Sequence, residues 1–117
     1  MAKEFTIRSE PAANPAVTIM HLTGNLDSRS ADRLAESIQA LYDKSNYKLV
    51  LDMSKVGHIS SAGVSVFVNA ISHAQDHGGG VVFINISESI RHGALRMIGL
   101  TDLIRIADDL PAAVAQF

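Results

Sequence analysis

Two adjacent hydroxyl residues, Ser60 and Ser61, fall between an apolar run and a helix-patterned stretch, in the segment KLVLDMSKVGHISSAGVSVFVNAI at residues 48–71. The first N–H groups of a helix lack internal partners, and the helix dipole adds partial positive charge there. An anion is well placed at such a terminus, including a phosphate carried by a serine of the first helical turn. The same position suits a serine that only caps the helix with its side-chain oxygen. Residue type and spacing leave both roles open, for Ser60 and Ser61 alike.

Other residues that could do chemistry are less complete. Asp52 follows an apolar run, where receiver domains carry a phosphorylatable aspartate. Those domains also need a pair of acidic residues after their first strand to hold magnesium. Here His21-Leu22-Thr23-Gly24 occupies that place with only Asp27 nearby, so Asp52 is expected to hydrogen-bond its own loop. His73 and His77 are four apart, a helical spacing that can hold a metal from one face. No third histidine or acidic partner is identifiable by spacing, so the expectation is two solvated histidines and no metal. His58 and His92 stand alone and receive no role. The G-x-S-x-G elbow of serine hydrolases is absent. The glycine run at 78–80 lacks the Lys-Ser or Lys-Thr that completes a phosphate loop. No catalytic residue and no cofactor are expected.

The elements that must position the serines follow from periodicity. Residues 4–8 alternate, with Phe5 and Ile7 on one face, as in an edge strand. PAANP at 11–15 is a turn by composition and leads into a strand at 16–22, with Val17, Ile19 and His21 on one side, which Gly24 breaks. A helix capped by Asp27 or Ser28 follows, its apolar stripe being Ala31, Leu34, Ile38 and Leu41. Leu49, Val50 and Leu51 form a short central strand covered on both faces, with a loop from there to the serines. The second helix starts near Ser61 and turns Val64, Phe67, Val68 and Ile71 to the sheet; Ser65, Asn69, Ser72 and Asp76 point away, and Val66 fits no core stripe. His77 and the glycines at 78–80 stop it. A strand at 81–86, a helix capped by Ser87 and running to about Met97 before Gly99, and a strand at 103–106 come next. Asp108 or Asp109 caps a last helix with Pro111 in its first turn and Val114 and Phe117 as its apolar face. The order ββαβαβαβα predicts an α/β fold, a mixed and mostly parallel sheet packed against helices.

Composition bounds the rest. With 117 residues, 47% hydrophobic and 19% charged, residues 1–117 are expected to form one soluble domain. A net charge of −2 gives no basic face for nucleic acid. There is no cysteine, which removes disulfides and thiolate metal sites and fits a reducing compartment. The N-terminal MAKEFTIRSE is charged where a signal peptide needs an apolar run, and no stretch nears the roughly 20 apolar residues that span a bilayer. A cytoplasmic location without membrane insertion is the expectation.

Three blocks carry a resemblance to the STAS family, which comprises the anti-sigma factor antagonists and related domains of sulfate transporters. LTGNLDSRSADRL at 22–34 resembles the family's strand, Gly-x-Leu-Asp and first helix. LVLDMSKVGHISSAGVSVFV at 49–68 resembles its central strand, loop, phosphorylatable serine and second helix, and GGGVVFINISESIRHGALRMIGLTDLIRI at 78–106 its later elements. The resemblance implies a single STAS-like domain with no enzymatic activity of its own. Bacterial members usually read Asp-Ser-Ser/Thr-Gly in the second block, and the serine after the aspartate is phosphorylated. Aligned through Gly63, Ser61 takes the phosphoserine position, Ala62 the second hydroxyl, and Ser60 replaces the aspartate, which makes Ser60 the alternative acceptor. Asp27 matches the Gly-x-Leu-Asp aspartate on a neighbouring loop. The implied partner surface is Asp27, Ser60, Ser61, Ala62, Gly63, Ser65, Val66 and Asn69. The implied partners are an anti-sigma factor or serine-threonine kinase, bound while Ser61 is unphosphorylated, and a PP2C-type phosphatase. A different role on the same fold is an interaction subunit of a lipid-transport ABC complex, in which the serines only cap the helix.

Overall fold

The computed structural model describes residues 4–92 and 105–117. The chain order is β1 (Thr6–Pro11), β2 (Thr18–Leu26), α1 (Ser28–Asp43), β3 (Lys48–Ile59), α2 (Ser61–Asp76), β4 (Gly80–Ile84), α3 (Glu88–His92), β5 (Arg105–Ala107) and α4 (Leu110–Val114). The five strands lie side by side in sequence order. β1 runs antiparallel to β2, and β2, β3, β4 and β5 are parallel. This is the mixed, mostly parallel α/β sheet that the element order predicts.

The hairpin forms where the proline-rich turn is expected. The Ala12 N–H donates to Val17 O (2.9 Å), and the Val17 N–H to Asn14 O (3.0 Å). β1 is shifted relative to expectation: it starts at Thr6 and continues to Pro11, an end position on an edge strand where a missing N–H is tolerated. β2 also differs, because Gly24 does not end it. The glycine sits at φ +110°, and a Cβ there would lie 3.2 Å from the Phe5 backbone. Register shifts on either side of it let β2 continue pairing with β3 as far as Leu26.

Strand alternation divides the core between the two faces of the sheet. On one face, Met20, Leu22, Leu49, Leu51 and Phe83 pack with Leu34, Ile38 and Phe67 from α1 and α2. Phe67 meets Phe83 edge to face, with ring centres 5.2 Å apart. The other face buries Val17, Ile19, Val50 and Val82 beneath Ala113 of α4. β3 is far longer than the expected Leu49–Leu51 stretch: its second half pairs with β2 alone and ends at Ile59.

Both long helices depart slightly from their expected stripes. In α1 the buried residue of the last turn is Tyr42, with Leu41 only half-buried. The Tyr42 hydroxyl donates to Ala70 O of α2 at 2.7 Å, and burial beside Tyr47 pushes its pKa up to about 12. In α2, Val68 is half-buried, and Gly63, Ala70 and Ala74 join Val64, Phe67 and Ile71 on the buried side. Small residues let α2 lie close to its neighbours. The helix ends as predicted, with Gly78 at φ +77° just beyond His77.

Ser87 Oγ accepts from the Ile90 N–H at 3.2 Å, as expected of a cap. The continuation toward Met97 and Gly99, and Leu103 with residue 104, lie outside the described residues. Of the two candidate caps for the last helix it is Asp109 that accepts, from the Ala112 N–H at 2.9 Å, with Ala113 buried and Val114 and Phe117 packed alongside.

Candidate functional site

Two strand-to-helix junctions meet at the C-terminal ends of the neighbouring strands β2 and β3. Leu26 pairs with Ile59 at the ends of β2 and β3, and the Ser60 N–H donates to Leu26 O at 2.8 Å. The starts of α1 and α2 are therefore fixed side by side. Gly63 makes this approach feasible: a Cβ there would fall 2.6 Å from the Leu26 side chain and 3.0 Å from that of Ile59. Leu26 is fully buried, so a side chain at 63 would have to displace a core residue.

Asp27 begins α1 with a complete capping box. Its Oδ1 accepts from the N–H groups of Arg29 (3.0 Å) and Ser30 (2.9 Å), and its own N–H donates to Ser30 Oγ (2.8 Å). The Ser30 N–H and hydroxyl, with help from Arg29, hold the Asp27 carboxyl below its ordinary range.

α2 begins differently. Ser60 is the cap, and its Oγ accepts one bond, from the Gly63 N–H at 3.3 Å. Ser61, the first helical residue, is exposed, and its carbonyl accepts from the Ser65 hydroxyl at 3.1 Å. Among the described residues, no acceptor is found for the N–H groups of Ser61 and Ala62. This terminus presents an exposed hydroxyl, two donors without an acceptor among the described residues, and no carboxylate in its first turn.

The residues expected at the site thus fall into two groups. Asp27, Ser60, Ser61, Ala62 and Gly63 gather at the C-terminal ends of β2 and β3, with Gly63 buried and in a packing role. Ser65 follows Ser61 along one line of α2, whereas Val66 and Asn69 turn toward α1. There they join Ala35, Gln39, Tyr42 and His73 around a groove of about 240 Å³. The periodicity that left Val66 without a core position does carry this signal, since 66, 69, 70 and 73 share a helical face. Ala35, Gln39 and Tyr42, supplied by the other helix, have no such signal in the sequence.

Asp52 lies on the α4 side of the sheet with its carboxylate fully engaged. One oxygen accepts from Asn85 Nδ2 (3.0 Å) and the Ser54 N–H (3.1 Å), and the other is 2.8 Å from His21 Nδ1. Desolvation would raise its pKa, but the bonds from Asn85, Ser54 and His21 outweigh it and hold the value at about 2. His21 Nε2 comes within 3.2 Å of Glu10 Oε2 without hydrogen-bond alignment. Contrary to expectation Asp52 lies within β3 and not in a loop, and it bonds to Ser54 of the same strand, to β2 and to the residue after β4, a reach that the sequence does not suggest. Among the described residues no three His, Asp or Glu side chains converge as a metal site. No helix among them is long and apolar enough to cross a membrane.

The sheet order and the paired junctions define a class: an α/β domain that displays two helix starts at the C-terminal end of its parallel strands. The chain belongs to the STAS domain family, whose profile matches residues 9–113. It is similar to BtrV of Bordetella bronchiseptica, provisionally named an anti-sigma factor antagonist, with 27% identity over 82% of each chain. Its fold is shared with an anti-sigma factor antagonist from Mycobacterium paratuberculosis, with 20% identity over 97% of this chain and 93% of that one and a TM-score of 0.83. The fold also matches the Bacillus cell fate determinant SpoIIAA in its phosphorylated form, with 15% identity over 95% of this chain and 98% of that one and a TM-score of 0.72.

Proposed function

We propose that residues 1–117 act as one STAS domain serving as an anti-sigma factor antagonist, a binding module without enzymatic activity that is controlled by phosphorylation of Ser61. The observation that carries this reading is the division of labour between the two serines. Ser60 Oγ caps α2, while Ser61 is exposed on the first turn of the same helix. A phosphate on Ser61 brings roughly two negative charges to a terminus whose first two N–H groups have no acceptor among the described residues and whose first turn has no carboxylate of its own. The helix start tolerates that charge, so the fold persists after modification.

Unphosphorylated, the domain binds an anti-sigma factor or serine-threonine kinase through Ser61, Ala62 and Ser65, with Asp27 beside them and Val66 and Asn69 contributing the lip of the α1–α2 groove. Phosphorylation desolvates poorly and repels acidic groups, so it breaks that contact. A PP2C-type phosphatase restores binding. The names of similar proteins support this role, and one of the shared folds is that of a phosphorylated protein. The test combines a pull-down from the source cell with phosphosite mapping. Wild type and Ser61→Ala retain the same kinase, Ser61→Asp does not, and the recovered kinase with ATP labels wild type on Ser61 only. Phosphate found on Ser60 would reverse the site assignment, and equal retention of all three forms would remove the switch.

A further inference from the structure

The two outer strands of the sheet are built differently. β5 closes one side with three residues, whereas β1 closes the other with six, and the outer side of β1 pairs with nothing among the described residues. A short edge strand is protected by its length, while a long uncovered one is a template for another strand.

Register decides which backbone groups β1 offers. The Ala12 N–H donates to Val17 O at 2.9 Å, and the ladder runs on unshifted through Glu10↔Ile19, Arg8↔His21 and Thr6↔Thr23. Bonded and non-bonded pairs alternate along an antiparallel ladder. The even-numbered residues of β1 therefore bond to β2, and Ile7, Ser9 and Pro11 turn their backbone groups outward. Pro11 has no N–H to offer there but keeps its carbonyl. The side chains alternate as well. Arg8 and Glu10 share the α4 face with His21 and Ile19, and Ile7 and Ser9 share the α1 face with Leu22 and Met20.

The order Ile-Arg-Ser-Glu-Pro at 7–11 is complementary to its own reverse about Ser9. A second β1 laid antiparallel with Ser9 opposite Ser9 sets each Arg8 against a Glu10 and each Ile7 against a Pro11. The Arg8–Glu10 pairs fall at non-bonded positions of that ladder, where side chains come closest. Centring on Arg8 or on Glu10 would instead bring like charges face to face, which is destabilising. Within the chain Arg8 Nη1 bonds Glu10 Oε2 at 2.8 Å. The other guanidinium N–H groups and Glu10 Oε1 make no bond among the described residues, so both side chains can reach across.

We infer that β1 is the docking edge for a second copy of this chain, two copies joining antiparallel about Ser9 into one continuous sheet. The two Ser9 residues exchange N–H···O bonds, and each Ile7 N–H donates to the Pro11 carbonyl of the second copy. The two-fold axis stands perpendicular to the sheet, so α1 and α2 of both copies lie on the same side, with their Ser61 termini at opposite ends. The pair is a bivalent module, which raises avidity for a partner that itself carries two sites. This bivalency, though not the pairing itself, rests on the proposed role of Ser61.

The test is sedimentation velocity on the tag-free chain from micromolar to millimolar concentration. Wild type passes from monomer to dimer, and amide exchange at Ile7 and Ser9 slows as it does. Arg8→Glu sets like charges opposite each other at both pairs and weakens the dimer by about tenfold or more, and adding Glu10→Arg restores it. Ser9→Pro removes an outward N–H that β2 does not use and abolishes the dimer. Circular dichroism verifies that the variants fold. A chain that stays monomeric at millimolar concentration, or a dimer indifferent to both Arg8→Glu and Ser9→Pro, would overturn the inference. So would protection of the Ile7 and Ser9 amides that appears only when a different protein is added, since the edge then receives another chain's strand.

Discussion

The two helix starts at the ends of β2 and β3 are neighbours joined by a backbone bond yet are finished in opposite ways. At α1 a carboxylate accepts from two backbone N–H groups, and Ser30 answers it from inside the helix. At α2 a neutral hydroxyl accepts one long bond and leaves an exposed serine and two N–H groups without a protein acceptor among the described residues. The first terminus has its negative charge built in. The second has room for one, and this asymmetry separates a structural cap from a site that can receive a phosphate. Both rest on the contact of Gly63 with Leu26 and Ile59, so the comparison holds only while that contact keeps the two junctions in register.

The largest effect is therefore expected at Gly63. In Gly63→Val the new side chain must displace Leu26 and Ile59, both buried, and overpacking of this kind costs about 2–3 kcal/mol. Urea denaturation measures it. A loss well under about 1 kcal/mol would show that α2 slides freely from β2, and the two termini would then be independent.

The caps themselves come next. Asp27→Ala removes the acceptor of two backbone N–H groups and of the Ser30 hydroxyl and lowers the thermal midpoint by roughly 3–6 °C, whereas Ser60→Ala removes a single long bond and lowers it by about half as much. The termini also differ in acid. Since the Asp27 pKa is lowered on folding, its stabilising effect is fully present above the ordinary aspartate value of 3.8 and fades as pH falls through the lower folded value. Asp52, at about 2, adds to the same acid limb. Asp27→Asn flattens that limb in urea titrations between pH 2 and 6, and Ser60→Ala does not change its shape. A larger midpoint loss in Ser60→Ala than in Asp27→Ala would invert the comparison.

Much of this end of the sheet is legible in the sequence, because caps and helix stripes are local. The candidate caps Asp27 or Ser28 and Ser60 or Ser61, the helix start near Ser61 and the stop at His77 and Gly78 follow from side-chain chemistry within a few residues, and the structure selects Asp27 and Ser60. What the sequence conceals is set by partners distant along the chain. The second half of β3 buries Met53, Val56 and Ile59 three apart, with exposed Ser54, Lys55, Gly57 and His58 between them, a spacing that reads as loop. It is strand only because β2 extends beside it, and β2 extends only because Gly24 adopts a positive φ. Likewise Tyr42 replaces Leu41 in the core because Ala70 O offers its hydroxyl a partner. Val66 makes sense only once α1 supplies the other wall of the groove.

The smallest effect on the fold is expected at Ser61 itself, and its smallness is informative. The Ser61 side chain makes no recorded bond within the described residues; its contact with Ser65 uses the backbone carbonyl. Ser61→Ala should therefore shift stability by less than about 0.5 kcal/mol. Ser61→Asp places a carboxylate in the first turn of α2, where the helix dipole favours it, and should be neutral to stabilising by about 0.3–1 kcal/mol. Denaturation of both variants beside wild type checks this. A neutral Ser61→Asp means that its loss of partner binding reports charge at the contact, because the domain presenting it is intact. If Ser61→Asp instead loses more than about 1 kcal/mol, the start of α2 has no room for an anion, and the two termini differ less than their hydrogen bonds indicate.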